Sequence, residues 1–169
     1  MQKSIITTLI ATAIFSAAPT FSAEKTNMMI MDAWVRAAPP SAKVQAAFFT
    51  VMNHSNKPIV ITDVEAQGFG RSELHLSGKK DGMMTMQKQP QVTIPANTVF
   101  QFKPGSYHVM LLEPSKIAEP GELVNVSFTL LNGEKINAKM PVKRDNSKKK
   151  MDHSKMDHNK MDHSNMKHN

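Results

Sequence analysis

The side chains best suited to chemistry in this sequence are its methionines and histidines. There are 14 methionines and 7 histidines in 169 residues, and no cysteine. Thioether sulfur is soft and neutral and does not titrate, whereas imidazole binds a metal only when it has lost its proton. The combination suits Cu(I), and imidazole suits copper in general. In the middle of the chain, His75, Met86, His108 and Met110 have spacings that allow them to converge. His108 and Met110 stand two apart in a β-rich run, so both project to one side of a strand, with Tyr107, Val109 and Leu111 on the side better suited to a core. Met84 and Met86 pair in the same way after the hairpin signal Asp81-Gly82, and His75 lies on the other arm of that hairpin. A lone methionine more often fills a gap in a core. Met110, beside His108 on a polar-leaning face, reads instead as a ligand. His54, in the polar turn Asn53 to Pro58, reads as a solvated loop residue.

A second set lies at the C-terminus, in a repeat of period five: Met151-Asp152-His153, Met156-Asp157-His158, Met161-Asp162-His163 and the degenerate Met166-Lys167-His168. Its imidazoles and carboxylates suit Cu(II), and its methionines suit Cu(I). Residues 143–169 lack the apolar content to fold alone and are expected to form a disordered tail that binds additional copper.

The elements that must position the central residues are strands. Val44 to Met52, Pro58 to Val64, Ser72 to Ser77, Met83 to Gln87, Val92 to Ile94, Thr98 to Phe102, Tyr107 to Leu112, Leu123 to Leu130 and Lys135 to Val142 are β-rich or alternating. Turn signals separate them, including Asn132-Gly133, which predicts a two-residue hairpin. No stretch sustains a 3.6-residue period. Short strands at this spacing predict an all-β sandwich or Greek-key barrel. Upstream, Lys3 followed by the apolar run Ile5 to Phe15 and small residues up to Ala23 reads as a signal peptide over 1–23. The organisation is then a signal, a β domain over 24–142, and the tail over 143–169.

Charge narrows the function. Of the formal +7, the tail carries +4 and residues 24–142 only +2, so the domain lacks the basic face that nucleic-acid binding requires. No apolar run reaches the length of a membrane span, so stable membrane insertion is not expected. A blue-copper electron carrier needs a cysteine thiolate, which is absent. Nothing marks a catalytic base or cleft, so the chain does not read as an enzyme. Two His with two Met would be an unusual zinc set.

The spacing His75, ten residues, Met86, twenty-one residues, His108, one residue, Met110 resembles the His-x10-Met-x21-His-x-Met motif of the periplasmic copper chaperones called PCuA(C). Asp32 to Pro40, Ala47 to Asn53, Glu73-Leu-His75, Gly82 to Met86 and Lys103 to Leu111 look like that family too, and the resemblance covers about residues 30–142. It implies a cupredoxin-like β-barrel with an exposed Cu(I) site made by the four side chains. It also implies delivery of copper to an acceptor. That acceptor would be the cytochrome c oxidase subunit carrying the binuclear copper centre, or a Sco-type thiol protein. A periplasmic copper buffer or resistance protein without a dedicated acceptor would use the same ligands.

Overall fold

The computed structural model describes residues 27–80 and 82–145. The expected signal peptide, Asp81 of the first hairpin, and the tail units from Met151 to His168 lie outside the described residues. Ten strands and no helix make up the rest: β1 (Met28–Arg36), β2 (Val44–Asn53), β3 (Ile59–Ala66), β4 (Phe69–Lys80), β5 (Met83–Lys88), β6 (Val92–Ile94), β7 (Thr98–Phe102), β8 (Tyr107–Pro114), β9 (Leu123–Leu130) and β10 (Lys135–Lys143).

The strand order is β5-β4-β8-β2-β1-β10-β9-β3-β6, with β7 pairing along the outer part of β2. Every neighbouring pair is antiparallel except β1 and β10. These run parallel through Val35↔Val142 and Arg36↔Lys143 and join the two halves. Alternation decides what each half buries. Ala47, Phe49 and Val51 of β2, Val109 and Leu111 of β8, and Leu74 of β4 point inward to meet Val126, Phe128 and Leu130 of β9, Ile61 and Val64 of β3, and Met140 and Val142 of β10. Phe49 stacks on Phe102 at 4.2 Å between ring centres and tilts against Phe128 at 4.8 Å, which ties the two halves together. Gln45 and Asn53, at the two ends of β2, are buried polar groups whose side chains hydrogen-bond to backbone atoms of the loops around them.

Nine of the ten strands follow the β-rich runs of the sequence. The first, β1, does not, because Asp32 has a left-handed φ of 50° and the register with β2 slips between Met31 and Trp34. Such a bulge breaks the period-two pattern by which a strand is recognised. The β9–β10 turn is also longer than a two-residue hairpin. The Gly133 N–H donates to the Leu130 carbonyl and the Leu130 N–H to the Glu134 carbonyl, which encloses three loop residues ending on Gly133 at φ 83°. This is a type I turn closed by a left-handed glycine, the usual three-residue solution.

Candidate metal centre

The outer face of β2, β4, β5 and β8 carries the site. In the β4–β8 register His75 lies directly opposite His108 and Glu73 opposite Met110. In the β4–β5 register Lys88 lies opposite His75 and Met86 opposite Ser77, two residues away on the same face. All four predicted ligands therefore share one sheet face: the two histidines as a cross-strand pair, with Met110 and Met86 as diagonal neighbours of His75. Diagonal positions are roughly 7–8 Å apart, within reach of a methionine side chain. The imidazole centres are 5.9 Å apart. A metal about 2.0 Å from a ring nitrogen sits roughly 3.2 Å from that ring's centre, so this separation lies within the span of one shared ion.

Exposure grades across the site. Met86, on the edge strand β5, is 62% exposed, whereas His108 is only 4% exposed. The expectation of an exposed site is corrected here for His108, which lies on the outer face as expected but is buried there. That outer face bears its own small cover, which sequence reasoning missed: the Phe48 ring lies 6.3 Å from His108, Trp34 packs on Phe48 at 4.9 Å, and the Arg36 guanidinium lies 4.8 Å over Phe48. Burial therefore pushes the His108 pKa below its usual value. The Ser106 carbonyl opposes this, and nearby His75 and Arg36 add to it.

Each imidazole is held by one nitrogen. His108 Nδ1–H donates to the Ser106 carbonyl at 2.9 Å. His75 Nε2–H donates to Glu73 Oε2 at 2.9 Å, and His75 Nδ1 is buried with no hydrogen-bond partner. An orphaned buried nitrogen is costly unless something binds it, and His75 has methionines at two diagonal positions of the same face. Among the described residues no three His, Cys, Asp or Glu side chains gather as a metal cluster. A donor set on this face beyond the two histidines would have to draw on methionine sulfur, which favours a soft ion.

Glu73 shares this face with His75, and the sequence signalled it only as part of the stretch Glu73-Leu-His75. Its carboxylate takes hydrogen bonds from His75 and Lys88, and these hold its pKa down to about 2, with the charges of Lys88 and Arg71 helping and burial opposing. Both shifted groups make the fold acid-sensitive. Glu73, depressed below its unfolded value, stabilises the protein above pH ~4.5, and that contribution is lost as pH falls towards 2. His108, also depressed, is favoured neutral, so its contribution is complete above ~6.5 and fades below it. The midpoint of urea unfolding is expected to be flat above pH 7, to fall below 6.5 and to fall again below 4.5. A midpoint constant from pH 7 to 3 would contradict both placements. His54, read as a loop residue, is exposed and takes no part in the site.

The family model described as "Putative lipoprotein LpqE-like" matches residues 28–142. "Putative lipoprotein Lxx21020" of Leifsonia xyli subsp. xyli is 27% identical over 118 residues, which cover 69% of this chain and 70% of that protein. Among solved structures, Cu(I)-bound DR1885 from Deinococcus radiodurans is 27% identical with a TM-score of 0.56, over 75% of this chain and 83% of that one. The copper-bound PCuAC domain from PmoF2 is 16% identical with a TM-score of 0.60, over 72% of this chain and 97% of that one. The fold is all-β and cupredoxin-like, shared with PCuAC domains, and the match across the whole β domain shows that this chain belongs to the LpqE-like family.

Proposed function

We propose that this protein is an exported copper chaperone that binds Cu(I) through His75, Met86, His108 and Met110 and passes it to an acceptor protein. The observation that carries this reading is the cross-strand histidine pair, with one orphaned imidazole nitrogen, flanked on the same face by two methionines. The copper-bound PCuAC domain and Cu(I)-DR1885 share this fold and support the choice of metal. Neutral ligands bind a monovalent ion without trapping it, and the edge position of Met86 offers an opening through which a partner's ligand can attack. The acceptor we propose is the cytochrome c oxidase subunit with the binuclear copper centre, or a Sco-type protein. Export rests on the signal-like segment 1–23 and on the lipoprotein description of the family. The proposed location is the periplasm.

A Cu(I) titration of a chain ending at Asp145, against a chromophoric chelator, tests the site. One tightly held ion with mixed nitrogen and sulfur scattering in X-ray absorption is expected. No binding would end the proposal. Transfer to apo acceptor then separates delivery from buffering.

The tail is part of the proposal. Asp145 pairs with Arg36 at 2.6 Å, and Arg36 lies over Phe48 beside His108, so the chain leaves the domain next to the site. Five residues lie between Asp145 and Met151, an extended reach of about 20 Å, and a short tether of this kind gives an effective concentration near millimolar. The units Met151/His153 to Met166/His168 are proposed to gather copper, as Cu(II) or Cu(I), and feed the domain. Deleting 146–169 is expected to lower copper stoichiometry by at least one ion per chain, and an unchanged stoichiometry would remove the tail from the mechanism.

A further inference from the structure

Which nitrogen of an imidazole meets a metal is decided by what holds the other nitrogen. The two histidines of this site are held in opposite senses. The Ser106 carbonyl and the Glu73 carboxylate have no proton to give, so each can only accept. His108 therefore keeps its proton on Nδ1 and its lone pair on Nε2. His75 keeps its proton on Nε2 and its lone pair on the buried, unpartnered Nδ1.

Glu73 has three cationic or donor neighbours: His75, Lys88 Nζ at 2.9 Å and Arg71 at 3.6 Å. They are not equivalent. The Lys88 and Arg71 side chains are 62% and 53% exposed, and solvent screening leaves exposed pairs of this kind weak. The His75 and Glu73 side chains are 15% and 11% exposed, so theirs is the sheltered contact. Glu73 also stands opposite Met110, and its Lys88 contact bridges β4 to β5 two residues from Met86.

Resting on the Cu(I) reading above, we propose that Glu73 is the positioning residue of this site: by gripping His75 Nε2–H it turns Nδ1 to the metal, so that one copper ion is met by Nδ1 of His75 and Nε2 of His108. The unlike nitrogens follow from the fold. His108 is tethered to the backbone carbonyl of Ser106, in the turn just before its strand β8, and His75 to the side chain of Glu73, two residues back on its own strand β4. The carboxylate leaves the loaded site with no net charge from metal and Glu73 together, while remaining outside the first ring of ligands.

The test uses the full chain with nitrogen-15-labelled histidine rings. Without metal, His75 is expected as the Nε2–H tautomer and His108 as the Nδ1–H tautomer. Adding Cu(I) should then shift chiefly Nδ1 of His75 and Nε2 of His108. In Glu73→Ala, His75 should lose its single tautomer, and chelator competition read at the two rings should show Cu(I) held about 10–100-fold more weakly. Glu73→Gln, which keeps an acceptor oxygen at the same reach, should restore most of both. The proposal is overturned if His75 carries its proton on Nδ1, if Cu(I) shifts its Nε2 instead, or if Glu73→Ala binds as the parent does. It is equally overturned if Glu73→Gln restores nothing, since the carboxylate would then act by charge alone. Should Glu73→Ala not fold, the parent's tautomers and Glu73→Gln decide the matter. If neither ring responds to Cu(I), the copper reading fails, while the metal-free tautomers still report on the grip of Glu73.

Discussion

Replacing His108 with alanine is expected to weaken Cu(I) binding at the domain site by at least about 100-fold, since losing a ligand exceeds the 10–100-fold cost of losing a ligand's support. It is also expected to destabilise the fold. His108 is almost fully buried beside Phe48, and its Nδ1–H occupies the Ser106 carbonyl. Truncation opens a cavity and strands that carbonyl, at a cost of about 1–3 kcal/mol. Met110→Leu separates the two effects. Leucine keeps the apolar volume and removes the sulfur, so copper affinity should fall to a similar degree with stability nearly unchanged. Affinity from chelator competition and stability from urea titration, measured on a chain ending at Asp145, check both. Parent-like affinity in either variant would show that the four-residue site is wrongly assigned. Stability lost equally in both would show that His108 is not the buried member.

Phe49→Ala is expected to be the most damaging single change to the core. Phe49 is 2% exposed and touches Phe102 and Phe128, so it packs against both halves of the barrel. Removing a buried phenylalanine ring costs about 3–5 kcal/mol, a third or more of the roughly 5–15 kcal/mol by which such domains are stable. With no cysteine in the chain, no disulfide limits the unfolded state to offset the loss. Val99→Ala, at an exposed position, should change stability by no more than about 0.5 kcal/mol. Because Phe49 faces away from the side of β2 that bears the proposed site, Phe49→Ala should still bind Cu(I) below its unfolding temperature. A cost below about 1 kcal/mol would mean that the two halves do not meet through this ring.

The sequence by itself determined the kind of fold and which residues are the candidate donors. Nine strands were legible because alternation reports which residues a sheet buries, and the pairing of His108 with Met110 on one face follows from period two alone. Soft-metal chemistry was legible because methionine is the only sulfur present. The tertiary structure decided the rest. Strand β1 escaped notice because the bulge at Asp32 breaks the alternation. The direct opposition of His75 and His108 depends on β4 pairing with β8, strands far apart in the chain, and no local pattern specifies that register. The burial of His108 depends on Trp34, Phe48 and Arg36 arriving from β1 and β2 to cover a face that its own strand marks as outward. The part played by Glu73 could be read only once its carboxylate and the His75 ring were fixed 2.9 Å apart. Period and composition are local properties, carried by neighbours in the chain. Register and cover arise between distant segments, and they exist only after the strands have paired.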